Sequence, residues 1–216
     1  MSTRIKKPPA ARAPALDPRK HAAQQRSRAT VDALIEATAR VLVKEGFERA
    51  STNRIAAEAG VSIGSLYQYF PTKEALVAAV IERHKTAMLQ MLRETLVRVA
   101  ERPLQDALRE IITVTIDAHR VDPELHRVLV EQIPRTGRLA EVEGFDREVQ
   151  SLVHGYLEAR KQEIRVPDLE LAAFVLVSTV EALSHGAVLH HPELLSRNKV
   201  KTFTDEVTRL VLGYLR

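Results

Sequence analysis

A chain of 216 residues with 45% apolar side chains can bury a hydrophobic core of its own, as one large domain or two small ones. Cysteine is absent, which excludes disulfides, thiol catalysis and cysteine-based redox sensing and is compatible with a reducing cytoplasm. The basic N-terminus is not followed by an apolar signal region, and no run approaches the ~20 apolar residues of a membrane span. We therefore expect a cytoplasmic protein with no membrane partner.

The net charge of +4 is unevenly distributed along the chain. Residues 1–30 carry basic side chains against Asp17 alone, and four prolines interrupt them. The basic residues are Arg4, Lys6, Lys7, Arg12, Arg19, Lys20, Arg26 and Arg28. This composition predicts a flexible basic arm over residues 1–27. Such an arm either keeps the protein soluble or contacts DNA phosphates or the minor groove.

A helix is predicted from about Arg28 to Glu45, followed by two short helices joined by a tight turn. In the first short helix Thr52 is the expected N-cap, and Gly60 is the expected left-handed stop. Ser62 is expected to cap the second, and Leu66, Tyr69 and Phe70 form its inward face. The pattern predicts a helix-turn-helix, although a purely structural corner of an all-helical domain has the same periodicity.

The residue types in this segment are more specific than its periodicity. Residues 52–76 read Thr-x-x-Ile-Ala-x-x-Ala-Gly-Val-Ser-x-Gly-Ser-Leu-Tyr-x-Tyr-Phe-x-x-Lys-Glu-x-Leu, which resembles the DNA-binding signature of TetR-type transcriptional repressors. The resemblance covers about 55 residues, from Arg28 to about His84. It implies an all-α protein with a helix-turn-helix DNA-binding domain at residues 28–83. A larger helical ligand-sensing and dimerisation domain would occupy residues 84–216.

The resemblance also implies which residues contact DNA. Base-edge contacts would come from the exposed face of the second short helix, and phosphate contacts from residues beside it. Base contacts are assigned to Ile63, Gly64, Ser65, Tyr67 and Gln68, phosphate contacts to Thr52, Tyr69 and Lys73, and a further contact to Ser62. Asn53 and Arg54, at the start of the first short helix, either add contacts or remain solvated on the surface. No arginine lies between Val61 and Phe70, so the bidentate contact to guanine is not available from this helix. Gln68 can pair with adenine and Ile63 can touch a thymine methyl group, while DNA shape supplies the remaining specificity.

The rest of the chain is predicted to be helical, with breaks at proline or glycine. One long helix runs from Thr72 to Pro103, the next ends at Asp122 and Pro123, and a short segment reaches Pro134. A helix from about Leu139 to Glu163 follows. Asp168 is expected to cap a strongly apolar helix whose length argues against a buried strand.

The apolar stripes of the last two helices either bury themselves within one subunit or pair with their copies across a two-fold axis, and the resemblance favours the homodimer. The predicted interface residues are Phe174, Val177, Glu181, Phe203, Val207, Leu210, Val211 and Tyr214. Such a dimer presents two reading helices to one face of a duplex, which predicts an inverted-repeat operator of double-stranded DNA.

The resemblance further implies a pocket for a small-molecule effector in the C-terminal domain. Candidate pocket residues combine aromatic surface with hydrogen-bonding groups: His119, His126, Gln132, Phe145, Tyr156, Phe174 and His185. With few aromatic residues and no tryptophan, an apolar or amphipathic effector is expected rather than one held in a broad aromatic cage. Effector binding would release DNA, so the predicted function is a ligand-responsive repressor.

The sequence also suggests three other functions: a metal site, an enzyme and a protein-binding module. Glu181 and His185 share a helix face, and His190 and His191 follow, but this spacing is not a recognised ligand set, so we predict no metal and no cofactor. An all-helical enzyme could use Glu181, His185 or His119 as acid and base, yet no nucleophile elbow or phosphate-binding glycine loop is present, and we predict no catalytic residue. The helical module could also serve only as a protein-binding surface.

Overall fold

The computed structural model describes residues 25–133 and 143–216. All regular structure in these ranges is helical, which confirms the predicted all-α class. The α-helices are α1 (Gln25–Arg49), α2 (Thr52–Ala59), α3 (Ile63–Tyr69), α4 (Lys73–Arg98), α5 (Leu104–Arg120), α6 (Pro123–Glu131), α7 (Glu143–Ala159), α8 (Leu169–Leu189) and α9 (Val200–Leu215). Short 3-10 helices occupy Lys161–Glu163 and Pro192–Leu195.

The first helix begins earlier than predicted, but its helical path breaks at the predicted end. It begins at Gln25, so residues 25–27 are helical rather than part of the predicted arm; residues 1–24 lie outside the described ranges. At the other end Gly46 has φ 76° and ψ 169°, which breaks the helical path where the sequence predicted the end. The chain can turn there because glycine has no Cβ to oppose a positive φ. The turn aims Phe47 back into the core.

Helices α1, α2, α3 and the start of α4 enclose a first hydrophobic core around Leu34, Leu42, Ile55, Leu66 and Phe70. This core also includes Leu125, Val128 and Ile133, which belong to α6 and the residues after it. The predicted domain boundary at residue 84 falls inside α4. The N-terminal helices are therefore packed directly against an element of the predicted sensor domain.

A second core lies among α5, α7, α8 and α9. Asp168 caps α8 as predicted, its Oδ1 accepting from the backbone N of Leu171 at 2.9 Å. The β-branched centre of α8 is helical, as its length indicated. The predicted helix from Leu139 is shorter, because Lys161–Glu163 tightens into a 3-10 turn after Ala159; residues 139–142 are outside the described ranges.

Helix α8 corrects the expectation that no segment is long and apolar enough to span a membrane. Its 21 residues include an 18-residue window of mean hydropathy 1.6, which by length and composition alone is apolar enough to cross a membrane. Within the chain, one third of that window is buried, and Ala172, Ala173 and Leu176 contribute to the second core. A single helix of this kind is weak evidence for a membrane span, because the core helix of a soluble protein passes the same test.

Candidate DNA-binding surface and effector cavity

The N-cap of helix α2 lies one residue before the predicted one. Ser51, not Thr52, is the N-cap, and its Oγ accepts from the backbone N of Arg54 at 3.3 Å. Thr52 is the first helical residue, and its Oγ1 lies 3.0 Å from the hydroxyl of Tyr67 on α3. Gly60 ends α2 with φ 68°, as predicted. The Thr52–Tyr67 hydrogen bond joins the two helices of the motif on their outer side.

Helix α3 presents a mixed apolar and hydroxyl-bearing face to solvent. Ser62 caps it as predicted, its Oγ accepting from the backbone N of Ser65 at 3.1 Å, and the two hydroxyls lie 2.9 Å apart. Ile63 and Tyr67 are 38% and 42% exposed, whereas Leu66 is fully buried. Gln68 is also exposed on this helix.

Gly64 occupies this face without a reason inside the chain. It lies within α3 and does not have a positive φ, so its backbone does not require glycine. A Cβ built there would meet only the Ser62 hydroxyl oxygen, at 3.9 Å, so no described helix crosses closely at this point.

Two residues predicted to contact phosphates also make contacts inside the fold. Tyr69 is only 8% exposed and packs in the first core, so any contact with DNA is limited to its small exposed part. Lys73 Nζ donates to the backbone oxygen of Phe47 at 2.9 Å and lies 4.2 Å from the centre of the Phe47 ring. An ammonium group has three donors, so Lys73 retains donors for a phosphate while it holds Phe47 in place.

Asn53 and Arg54 lie at the exposed start of α2. The Arg54 guanidinium donates through Nε to Glu45 on α1 at 3.0 Å, and this hydrogen bond raises the pKa of the guanidinium above its usual value. On the other side of α2, Glu58 accepts from Arg40 of α1 at 2.8 Å, which lowers the pKa of the Glu58 carboxyl. These exposed pairs orient α2 on α1 and contribute little stability individually.

The C-terminal helices enclose a cavity of about 120 Å³. Its wall is mostly apolar and comes from α4, α5, α7, α8 and α9. Met88 and Met91 line it, and their unbranched side chains can adapt to differently shaped ligands. The polar groups on the wall are few: Thr115, His119, Asp146, Tyr156 and Glu181.

The structure separates the predicted effector residues into two groups. His119, Phe145 and Tyr156 line the cavity, and His126 and His185 contact His119 beside it. Two predictions are corrected: Phe174 is 51% exposed and does not line the cavity, and Gln132 hydrogen-bonds to the backbone N of Phe47 instead. The Tyr156 hydroxyl is buried with no hydrogen-bond partner among the described residues, and burial raises its pKa.

His119 on the cavity wall belongs to a cluster of imidazoles, which we call the histidine cluster: His84, His119, His126 and His185. The ring centroids of four neighbouring pairs in the cluster lie 4.8–5.6 Å apart. The four residues come from α4, α5, α6 and α8. Spacing along the chain indicated Glu181, His190 and His191 as the neighbours of His185, because His84, His119 and His126 are distant from it in sequence.

The predicted dimer residues are also divided by the fold. Val207 and Val211 are both 3% exposed inside the second core, and Val177 and Glu181 line the cavity, so these four do not face outward as predicted. The exposed apolar residues of α8 and α9 are Phe174, Leu183, Leu210 and Tyr214. Phe203 borders a surface groove with Leu183, Leu210 and Tyr214. We call Phe174, Leu183, Phe203, Leu210 and Tyr214 the α8–α9 face.

Comparison with known proteins identifies the family. Residues 34–80 match the model of bacterial regulatory proteins of the tetR family, and residues 103–215 match the tetracyclin repressor-like C-terminal domain. This chain belongs to the TetR family. It is thus a DNA-binding transcriptional regulator with a helix-turn-helix, and the resemblance read from residues 52–76 is confirmed.

Individual TetR-family relatives match over different extents. Nucleoid occlusion factor SlmA of Haemophilus influenzae is 34% identical over 86 residues, which are 40% of this chain and 38% of SlmA. The match spans less than two thirds of that relative. The fatty acid degradation regulator FadR of Bacillus halodurans has a similar structure, with a TM-score of 0.70, 20% identity, and coverage of 87% of this chain and 96% of FadR. FadR of Bacillus subtilis, solved in complex with stearoyl-CoA, is similar with a TM-score of 0.68 and 19% identity. That match covers 86% of this chain and 99% of the Bacillus subtilis FadR chain.

Proposed function

We propose that this TetR-family regulator is a cytoplasmic homodimeric repressor that binds an inverted-repeat operator and is released when an apolar or amphipathic small molecule enters the cavity. The observation that carries the proposal is the cavity itself, which lies in the C-terminal domain of a helix-turn-helix protein. Two functions on one chain, separated in space, require a mechanical connection. Helix α6 supplies it by packing against both α1 and α8.

The DNA-reading surface is proposed to be the outer face of α3. Ile63, Tyr67 and Gln68 protrude there, and Gly64 leaves room for the duplex backbone or base edges. Thr52 and Lys73 flank this face, and Asn53 and Arg54 extend it. Since the helix itself carries no positive charge, the phosphate contacts must come from these flanking residues and from the basic N-terminal segment, which lies outside the described residues.

The dimer is proposed to form through the α8–α9 face. Leu210 is 53% exposed, and its neighbours on the face are also apolar, so the monomer leaves a contiguous hydrophobic surface in water. Burial of such a surface against a second copy yields about 25 cal/mol for each Å² removed from water. A two-fold pair of reading helices needs this association, because half-sites about one helical turn apart are then read together.

The effector is proposed to have an apolar body and one polar group. The apolar wall with its two methionines suits a hydrocarbon segment, and Tyr156 offers a buried hydroxyl without a partner among the described residues. The similarity in fold to a FadR solved with stearoyl-CoA supports a long acyl chain as the first ligand to examine. An effector that changes operator affinity by coupling of about 1 to 3 kcal/mol suffices for regulation.

Selection of preferred duplexes from random DNA tests the reading function. We expect an inverted-repeat sequence, binding that falls steeply with salt, and a loss of about 1 to 3 kcal/mol for Tyr67→Ala or Gln68→Ala. Val97→Ala is the matched control, since Val97 is exposed on α4 away from α3. Equal affinity for every duplex, or unchanged binding in both α3 variants, would reject this surface.

Release is tested separately with stearate and stearoyl-CoA as probes. Fluorescence anisotropy of a labelled operator should fall on addition of a ligand that occupies the cavity. Val180→Phe places a larger ring on the cavity wall, so this variant should keep DNA binding and lose the response. A response that survives Val180→Phe would place the effector elsewhere. Turnover of either probe, lost in His185→Ala, would instead favour the enzyme interpretation.

A further inference from the structure

The histidine cluster brings together three potential ligand atoms that no local motif joins. One ring nitrogen from each of His119, His126 and His185 lies within 4.8 Å of the other two. His119 and His126 are buried, and His185 is half-buried. A buried cluster of three imidazoles is uncommon as packing material, because each ring carries two polar nitrogens that need partners.

Hydrogen bonds hold one ring nitrogen of His119 and one of His126. His119 Nδ1 lies 2.7 Å from the backbone oxygen of Thr115, so Nδ1 carries the proton and Nε2 carries a lone pair. His126 Nδ1 lies 3.4 Å from His84 Nε2, while His126 Nε2 is buried with no partner among the described residues. A metal-binding histidine commonly has one nitrogen held by an outer partner in this way.

We propose that His119, His126 and His185 bind one divalent transition-metal ion of the zinc class, with Thr115 and His84 orienting two of the rings. Imidazole ligands suit Zn²⁺, Ni²⁺ and Cu²⁺ rather than Mg²⁺ or Ca²⁺. Tetrahedral zinc with Zn–N bonds of about 2.0–2.1 Å needs the ligand nitrogens about 3.3 Å apart, so the rings must close by small side-chain rotations. Because His119 also lines the cavity, a fourth coordination position is oriented toward it and can be filled by water or by a carboxylate of an effector.

The site has a direct structural route to the DNA-binding helices. His126 lies on α6 between Leu125 and Val128, and both of these pack into the first core. Gln132, at the end of α6, hydrogen-bonds to Phe47. A metal ion that draws His126 toward α5 and α8 therefore shifts a helix on which α1 rests. This regulatory consequence depends on the proposed function, whereas the metal site itself does not.

Binding is tested on untagged, chelator-treated full-length protein without DNA. Titration with Co²⁺ should give a saturable visible absorption at one ion per chain, which Zn²⁺ abolishes by displacement. His126→Gln and His185→Gln should each weaken binding at least about 10-fold. The double variant His190→Gln, His191→Gln is the matched control, since both residues are exposed at the end of α8, and it should bind as the wild type does.

Several results would overturn the site. They are the lack of saturable binding, equal binding in the wild type and both cluster variants, or loss of binding only in the His190, His191 double variant. Circular dichroism shows whether each variant folds. If His126→Gln does not, the half-buried His185 decides the question, and X-ray absorption of the zinc-loaded wild type counts imidazole ligands independently. Oxygen ligation alone would contradict the proposal.

The regulatory consequence has its own readout. Operator affinity is measured with and without Zn²⁺ at a concentration that saturates the protein. A change of about 5-fold or more, absent in His126→Gln, supports coupling through α6. Saturable metal binding with no change in operator affinity would leave a structural metal site and reject the coupling. Failure to bind any operator would instead reject the proposed function and leave the metal result intact.

Discussion

The side-chain oxygen of Gln132 accepts a hydrogen bond from the backbone N of Phe47 at 3.3 Å, across 85 positions of sequence. On the other side of Phe47, Lys73 Nζ donates to its backbone oxygen. One peptide segment is thus held by α6 on one side and by the start of α4 on the other. These contacts join the helix-turn-helix to the C-terminal helices, so a shift of α6 reaches the motif without an intermediate loop.

Gly46 makes this junction possible, and its replacement is expected to damage it. The φ of 76° disfavours a side chain, and a Cβ would come 2.7 Å from the Gln132 side-chain oxygen. We expect Gly46→Ala to lower the free energy of unfolding by about 1 to 3 kcal/mol in urea denaturation. Gly155→Ala, in the middle of α7 with nothing within 4 Å, should instead be neutral or stabilising by about 0.5 to 1 kcal/mol. Equal effects of the two changes would contradict this account.

Gly64→Ala should separate DNA binding from stability. The site has room for a Cβ inside the chain, and alanine is a better helix former than glycine, so the free energy of unfolding should stay constant or rise by up to about 1 kcal/mol. The added methyl group would occupy space needed by the duplex, so operator affinity should fall about 10-fold or more in gel-shift titrations. Unchanged affinity would show that DNA does not approach α3 at Gly64.

Tyr156→Phe tests the buried hydroxyl on the cavity wall. An unpaired buried hydroxyl costs about 1 to 3 kcal/mol, so its removal should leave the ligand-free protein as stable or more stable in thermal unfolding. If the effector hydrogen-bonds to that hydroxyl, its affinity should fall by about 1 kcal/mol, measured by calorimetry with stearate. Loss of stability without ligand would mean that the hydroxyl already has a partner.

Leu210→Glu should disrupt the α8–α9 face. A charge on a surface that is buried in the dimer pays a desolvation cost, so sedimentation should show a shift toward monomer and operator affinity should fall in parallel. Val97→Glu is the control, because Val97 is 79% exposed and lies outside the face. A Leu210→Glu protein that remains dimeric would place the interface elsewhere.

The metal-free protein should lose stability in mild acid. Burial lowers the pKa of His84, His119 and His126, the last to about 3, whereas an unfolded histidine titrates near 6.5. Between these values the unfolded chain binds more protons, so stability is complete above about pH 6.5 and declines as pH falls. Asp122 opposes this decline at His84 and Lys85 adds to it.

The expected slope is at most about 1.4 kcal/mol per pH unit for each histidine, measured by urea unfolding in chelator from pH 8 to pH 5. His126→Gln should flatten the profile, and His190→Gln should not. A wild-type stability that is constant over this range would show that the buried rings are already charged or become exposed before unfolding.

Sequence alone determined the elements whose signals are local. The caps Ser62 and Asp168, the left-handed Gly60 and the break at Gly46 all depend on residues within one or two turns, and each was predicted. The residue types of the motif from Thr52 to Leu76 indicated the family because they too form a local signal. The error at Ser51 is instructive, because two adjacent hydroxyl residues are equally good caps and only the backbone conformation chooses between them.

Tertiary packing decided everything that depends on which side of a helix meets which neighbour. The periodicity of α9 marked Val207 and Leu210 as one apolar stripe, yet the first is buried in the core and the second is exposed. Gln132 joined the DNA-binding helices rather than the cavity, and four histidines from four helices met in one cluster. Helical period specifies that a face is apolar, but contacts between residues far apart in the chain arise only when the helices pack.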